Sequence, residues 1–568
     1  MPIGEPVYGG TLRLLGPGGV DHLDTACAYS AASSQLLRAL TRQLFAYPAS
    51  SYLSTTRSFT PVADLATVVP TRENGGLSRD GRTYTIRLRR GVFWDTNPPR
   101  EVTSYDVIRG LKRLANPVCG AGGIGYYTST ILGMREFRDA YHAAFAGRSL
   151  APTAAALAEF QDVHDIAGVC APDPRTVVFE LVQPAGDFLN ILAMTFATPA
   201  PAEYDAFLPG AVQPRSLGPY TVDHLDRRAL RLRRNPAWSS AADPLRGGFV
   251  DAIECRRLDQ PAELVHRRIE RREADLAWSL PAVSWARTVD GQDVSAPSFA
   301  GYALNPYLVF NLRSPNAGGA LRDVRVRRAV GYAVDKVAVG AIMSVLDAPN
   351  RPMRGVIPPG SAGYRDYDPY PTPDDWGDPD TARDLLAEAG HGDGFALVAA
   401  VRDGEPHGEV MASIAADLAK VGIHLTVEVH REAEFYGALL CDPDRGRAGA
   451  WDIAAPSWVP DWFGSNGRAV VQPLFATNDQ AGTANYGGYA NPLVDRLIDE
   501  ALREPDPERA DELWHRIDRQ VMADVAIVPI LATAATISRR HPRHVRNVVY
   551  LPQTASVDLT NVWLDRDG

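Results

Sequence analysis

Tyr84, Ile86 and Leu88 alternate with Thr83, Thr85 and Arg87 directly after an Asp80-Gly81 turn. A two-residue period of apolar and polar positions predicts a half-buried strand. Gly91 marks a second turn, and Val92, Phe93 and Trp94 follow as a short aromatic strand. The period then changes. After Thr103 or Ser104, either of which supplies a helix cap, Val107, Ile108, Leu111 and Leu114 recur at helical spacing. The stretch Leu77–Pro117 therefore predicts strand, strand and helix. It holds no group arranged for catalysis.

The same reading extends along the chain. Leu12–Leu15 predicts a core strand, and Leu36, Leu37, Leu40 and Leu44 mark a helix. Ser149–Phe160 reads as an Ala-rich helix, Thr176–Leu181 as a strand, and another helix starts after Pro184. Gly218-Pro219-Tyr220 opens a strand that Ala229–Arg233 pairs with, ahead of the turn Asn235-Pro236-Ala237-Trp238. A second compositional unit starts near Tyr302. It has a buried strand at Leu308–Leu312 and a helix over 323–338 capped by Asp323, with Val326, Ala329, Val330 and Ala333 on its apolar face. Strand Phe395–Ala400, helix Met411–Lys420 and strand Ile423–Val429 follow in the order of a parallel α/β layer. Amphipathic helices at Val494–Leu502 and Pro507–Met522 precede a strand at Ile527–Leu531 that Pro529 interrupts. Pro349–Pro379, rich in Pro, Asp, Gly and Tyr, reads as a surface loop.

A chain of 568 residues exceeds one hydrophobic core, so two or three lobes are expected. Its 45% apolar and 22% charged residues are those of an ordinary globular protein. A net charge of -10 argues against a general nucleic-acid binder, because no excess of cations is available to displace counterions from phosphates. Lys112, Lys336 and Lys420 are the only lysines; arginine supplies the other cations. Together with many Ala, Gly and Pro, this points to a GC-rich coding sequence such as an actinomycete's. Cys27, Cys119, Cys170, Cys255 and Cys441 are far apart with no CxxC, which excludes a zinc ribbon or thioredoxin-like motif. Their odd number leaves at least one free or paired between chains, and export would allow a disulfide whose pair the sequence does not choose. No run of about 18 apolar residues exists to span a membrane. The start, MPIGEPVYGGTLRLL, lacks the basic end, apolar core and cleavage site of a signal peptide.

Enzyme motifs are missing: there is no GxSxG, no HExxH, no GxGxxG after a strand and no P-loop. No catalytic residue, metal or cofactor is expected. His541 and His544, separated by Pro542 among arginines, read as an exposed basic turn. Asp374-Asp375 and Asp442/Asp444 lie in Pro-rich loops, where solvation is the default. The informative polar run is Trp458-Val459-Pro460-Asp461-Trp462-Phe463-Gly464. An acid between aromatics suits a partly desolvated site for a cation, since burying an unpaired carboxylate is costly. A peptide's α-ammonium supplies such a partner through a charge-assisted hydrogen bond. A turn-capping role for Asp461 is the alternative.

No single element is specific, but their order is. The entry strand Gly9–Leu14 comes first, then the Leu77–Pro117 block, then the GPY strand with its return strand and RNPxW turn. The run from Phe310-Asn311 through DVRVRRA to Ala333-Val334-Asp335 follows, and the helix from Asn491 to Ala501 comes after it. From Gly9 to about Pro552 this series resembles solute-binding protein family 5, the oligopeptide- and dipeptide-binding proteins of ABC importers. The resemblance implies a two-lobe, periplasmic-binding-protein-like α/β fold of three domains, with mixed sheets, flanking helices and a hinge between the lobes. Residues 1–45, 168–298 and 528–568 would form lobe I, 46–167 an extra domain on it, and 299–527 lobe II. The hinge segments are expected near Ala296–Gly301 and Val528–Ala532.

The implied function is capture of oligopeptides in an interlobe cleft and delivery to a membrane permease with its ATPases. It also implies an extracytoplasmic, monomeric lipoprotein whose signal and anchor have been removed; a natural cytoplasmic start is the competing reading. Oligopeptide-binding members carry a W-x-x-D motif whose Asp binds the ligand's amino terminus. That carries over to Asp461, with Trp458 and Trp462 beside the ligand. Some members have an arginine six residues before that Asp, which binds the carboxylate of short peptides; here Ala455 stands there. Arg402, Arg431 and Arg468 are candidates to replace it. Tyr126 and Tyr127 lie where the family places a tyrosine against the ligand. Asn485, Tyr486, Gly487 and Gly488 resemble its N-x-x-G-Y segment, and the glycine pair would let backbone approach the ligand closely. Members also occur in actinomycete antibiotic clusters, including that for clavulanic acid. A non-peptide solute or pathway intermediate is therefore the alternative ligand, and an enzyme on this scaffold the alternative class.

Overall fold

The computed structural model describes the chain except residues 1–4, 52–58, 119–121, 148–150, 204–213, 227, 259, 280–287, 290–291, 294, 344–349, 405, 433, 463–466, 480–481, 505, 539–543, 555 and 566–568. It divides into two compact units, Met1–Ala296 with Ile537–Gly568, and Pro297–Thr536.

In the first unit, β1 (Thr11–Gly16) buries Leu12 and Leu14 and exposes Arg13, as its alternation requires. Helix α1 (Ala31–Leu40) is capped by Ser30, whose hydroxyl accepts from the Ser33 N–H, and buries Leu36, Leu37 and Leu40. Strand β2 (Thr83–Arg87) buries Tyr84 and Ile86. Helix α2 (Ser104–Leu114) starts at Thr103, whose backbone N–H donates to the Asp106 carboxylate at 2.8 Å. A further helix, α3 (Ile124–Thr130), follows.

Two sheets organise this unit. β2 pairs with β4 (Thr176–Glu180), and β4 pairs with β3 (Val169–Asp173), all antiparallel. The expected boundary at residue 167 thus separates β2 from the strands that complete its sheet. The larger sheet adds β5 (Tyr220–Leu225), β6 (Ala229–Arg234), β7 (Ala252–Arg257) and β8 (Leu276–Ala277), in the order β8-β1-β7-β6-β5. It is mixed, because β1 runs parallel to β7 and β8 while β6 opposes both neighbours.

The chain enters the second unit along β9 (Ser295–Leu304) and continues into β10 (Tyr307–Phe310). The helix expected over 323–338 is two helices, α4 (Val324–Ala333) and α5 (Lys336–Met343). The break has a local cause: Asp335 accepts from the Ala338 N–H at 2.7 Å and so starts a new helix. After β11 (Asn350–Pro352), β12 (Phe395–Arg402), α6 (His407–Ala419) and β13 (Ile423–His430) form the parallel strand–helix–strand layer. β14 (Ile453–Ala454) follows, then the long helix α7 (Pro507–Ala523). Pro529 ends β15 (Ile527–Pro529), and at Ile530 the chain changes sheets into β16 (Leu531–Ser538). The main sheet has the order β13-β12-β14-β10-β15, and a second has β9-β16-β11. Because β16 pairs with β11, the chain leaves this unit between Thr536 and Ile537, beyond the expected Val528–Ala532.

The core of the second unit joins Leu308 and Phe310 of β10, Val326 and Val330 of α4, Leu397 and Val401 of β12, and Ile414 and Leu418 of α6. Burying side chains of this size contributes about 1.5–3 kcal/mol each before entropy is set against it. This core fixes which way the strand ends face.

Candidate functional site

Parallel pairing puts the carboxyl ends of β12 and β14 on one side of the main sheet. Ala399 lies opposite Ile453 and Ala400 opposite Ala454, so Arg402 and the segment Ala455–Ser457 emerge together. The amino end of antiparallel β10 arrives at the same place, where the Tyr307 N–H donates to the Pro456 carbonyl at 3.2 Å. In open α/β sheets, ligands bind beyond the carboxyl ends of the parallel strands.

Arg402 is held there by two neutral groups and one exposed acid. Its Nη1 donates to the Tyr436 hydroxyl at 3.0 Å and its Nη2 to Ser457 Oγ at 3.2 Å. Its guanidinium carbon lies 5.7 Å from the Tyr436 ring centroid, within cation–π range. Glu432, itself 63% exposed, approaches Nη1 at 3.4 Å. The Arg402 side chain is only 11% exposed, and its Nε has no hydrogen-bond partner among the described residues. Burial, then the Arg402 charge, pushes the His407 imidazole down to about 3, so that ring adds no second cation at neutral pH. Burial raises the Tyr307 phenol well above its ordinary range, with Tyr436 and Cys441 adding to the effect. The Tyr307 hydroxyl is buried without a hydrogen-bond partner among the described residues.

Trp458 follows directly. Its backbone exchanges two hydrogen bonds with Leu304, at 2.8 and 3.0 Å, and its indole N–H donates to the Ala469 carbonyl at 2.9 Å. Both Trp458 and Trp462 are buried, and Asp461 between them is half-buried. Phe463 and Gly464 fall outside the described residues. Ala455 sits in the apolar core with Ile453 and offers no polar group. Of the three candidate arginines, Arg431 is exposed, and Arg468 is buried with Nε on Gln472 at 2.6 Å. Only Arg402 combines partial burial with a direct bond to the segment before Trp458.

The segment 485–489 has internal duties. Asn485 Nδ2 donates to the carbonyls of Ala476 and Tyr489, and its Oδ1 accepts from the Tyr489 N–H. Gly487 packs on the backbone of Phe310, and its carbonyl accepts from the Leu312 N–H at 2.9 Å. Gly488 adopts φ +70 with Arg313 over it. The close approach that Gly487 allows is thus to the chain's own strand, and that at Gly488 is to the Arg313 side chain. Tyr486 is buried, with its ring 6.2 Å from that of Tyr436. Tyr126 and Tyr127 belong to α3 in the first unit and are buried; the Tyr127 hydroxyl donates to the Ile191 carbonyl at 2.9 Å, a core role. His544 is not in an exposed turn, since its Nε2 lies 2.8 Å from the Asp275 carboxylate; His541 falls outside the described residues. Tyr436, Ser457 and Tyr307 were not singled out by sequence. The one signal for Ser457 and Tyr307 is their position at strand ends, which depends on register, and Tyr436 lies in a helical turn beyond the end of β13.

The family model for bacterial extracellular solute-binding proteins, family 5 Middle, matches residues 60–481. The chain belongs to this family. It is 26% identical over 483 residues to the dipeptide-binding protein of Escherichia coli (strain K12), covering 81% of this chain and 79% of that protein. It is 24% identical over 478 residues to heme-binding protein A of Haemophilus influenzae, covering 81% and 77%. Its fold matches that of the clavulanic acid biosynthesis oligopeptide binding protein 2 with a TM-score of 0.74 and 27% identity, over 99% of this chain and 96% of that one. The family is one of binders. Among the described residues no helix is long and apolar enough to cross a membrane, and no group of His, Cys, Asp and Glu is arranged for a metal.

Proposed function

We propose that this solute-binding protein captures peptides outside the cytoplasm, anchored by a lipid, and delivers them to an ABC permease. Asp461 takes the ligand's ammonium and Arg402 its carboxylate, in place of the arginine that Ala455 lacks. The observation that carries this reading is the mostly buried Arg402 guanidinium, bound to Tyr436 and to Ser457, the residue before Trp458; Glu432 meets it only at 3.4 Å and is 63% exposed, so solvent screens that pair and charge is left for a ligand anion. Main-chain hydrogen bonds and end charges are common to all peptides, so such a site tolerates many side chains. Cys27 is disulfide-bonded, which supports an oxidising compartment.

Calorimetry with Asp461→Asn tests the reading. A free-amine peptide should lose roughly 2–5 kcal/mol, the range for breaking a buried charged pair, and its N-acetylated form much less. Equal losses would remove Asp461 from the ligand site. Relatives that bind dipeptide or heme show that family membership leaves the ligand class open. Mass spectrometry of ligand released from the protein after incubation with peptides separates the readings: an unchanged peptide supports capture, a non-peptide solute supports the second reading, and a cleaved peptide means an enzyme.

A further inference from the structure

We propose that Tyr436 positions Arg402 for anion recognition and thereby sets how strongly the site prefers a free carboxylate; this rests on the role given to Arg402 above. A guanidinium presents five donors in one plane, so fixing two of them fixes the directions of the rest. Tyr436 and Ser457 fix Nη1 and Nη2 at 3.0 and 3.2 Å, and Nε keeps an unused donor. These two acceptors are uncharged, so they orient the cation without cancelling it, whereas the exposed Glu432 carboxylate accepts from the same Nη1 at 3.4 Å. The Tyr436 hydroxyl also accepts from the Ser457 N–H at 3.2 Å, which ties the phenol to the segment that leads into Trp458.

The phenol is itself braced. It lies in a π-helical turn, Glu434–Leu440, where the Cys441 N–H reaches back five residues to the Tyr436 carbonyl at 2.9 Å. Such turns recur at functional sites because the extra residue redirects a side chain. Phe435 is fully buried beside it, and the Tyr436 ring faces that of Tyr486. Glu432 supplies the competing arrangement. It already stands 3.4 Å from Arg402, and it would draw the guanidinium toward solvent once the Tyr436 bond is lost.

The test uses an equimolar tripeptide mixture with free carboxylates and the same mixture as C-terminal amides, with occupancy read by native mass spectrometry. The wild type should prefer the acids by at least about tenfold. Arg402→Gln should abolish that preference, as expected for loss of a buried charge partner. Tyr436→Phe keeps the ring, and should cut the preference for acids over amides about three- to tenfold, the range for one hydrogen bond to the guanidinium. If the wild type binds both mixtures equally or neither, or if Arg402→Gln keeps the preference, the role of Arg402 fails and this proposal with it. If Arg402→Gln loses the preference while Tyr436→Phe keeps it, Arg402 stands and Tyr436 does not position it. If Tyr436→Phe weakens acids and amides alike, Tyr436 is merely structural and the proposal is overturned.

Discussion

A β-carbon at Gly487 would stand 2.3 Å from the carbonyl oxygen of Phe310. The loop and β10 meet backbone to backbone, and no rotamer change relieves such an overlap. Gly487→Ala should therefore cost about 1–3 kcal/mol, the usual range for overpacking. Gly488→Ala should cost at least about 1–2 kcal/mol through its left-handed backbone, and more if it displaces the Arg313 guanidinium from Asp479 and the Tyr486 carbonyl. Urea titration should show lower midpoints at unchanged slope for both. An unchanged midpoint for Gly487→Ala would mean that the loop is not seated on β10.

Three arginines and three aspartates are buried together in the first unit. Asp64 meets Arg42 at 2.7 Å and Arg246 at 2.9 Å, Arg246 meets Asp243 at 3.3 Å, and Arg38 meets Asp558 at 3.4 Å. Burial pushes the Asp243 carboxyl up, but Arg246 and Arg42 outweigh it and hold it well below the carboxylate range. Asp64→Asn leaves two buried guanidinium groups short of a partner and should cost about 3–5 kcal/mol. Asp223→Asn, which removes an exposed partner of Arg231 and Arg233, should cost at most about 1 kcal/mol. Chemical denaturation of the two variants checks the contrast, and similar losses would contradict it.

Asp518 on α7 is a buried carboxyl that accepts from the Val356 N–H at 2.7 Å. Burial raises it to about 7, and the Val356 and Ile357 N–H groups and the Tyr367 hydroxyl offset this only in part. The folded form thus holds its proton more tightly than the unfolded chain, whose carboxyl titrates near 3.8. Its stabilisation is complete below about pH 4 and is lost as pH rises through about 7. At about 1.4 kcal/mol per pH unit, the whole effect is at most roughly 4 kcal/mol. Asp518→Asn should flatten the stability profile between pH 4 and 7, in a series of denaturation curves. A profile as steep as the wild type's would assign the slope to other groups.

The free cysteines differ in access. Cys170 on β3 is exposed, Cys255 is buried, and burial pushes the Cys441 thiol up to about 12. Only the thiolate attacks a maleimide. Peptide mapping after brief labelling of the native protein should find Cys170 modified, and Cys255 and Cys441 only after unfolding. Rapid native labelling of Cys441 would show that its surroundings open to solvent.

The strand at Thr83–Arg87, the Thr103 cap and the order of elements that marks the family were legible in the sequence. Each depends on residues a few positions apart, through alternation, helical spacing and local hydrogen bonds. The break at Asp335 was local too, but its capping signal was masked by apolar residues that keep helical spacing on both sides. The Trp458–Asp461 run was visible as an unusual pattern, and its surroundings were not. Arg402, Tyr436 and Ser457 are up to 55 residues apart in sequence and meet because β12 pairs in parallel with β14 in one register. A shift of that register by one residue would turn Arg402 to the other face of the sheet. The Gly487-Gly488 pair was legible as a close approach, but what it approaches was decided by tertiary packing. Backbone freedom is a property of the residue, whereas the surface it meets is set by how the core closes.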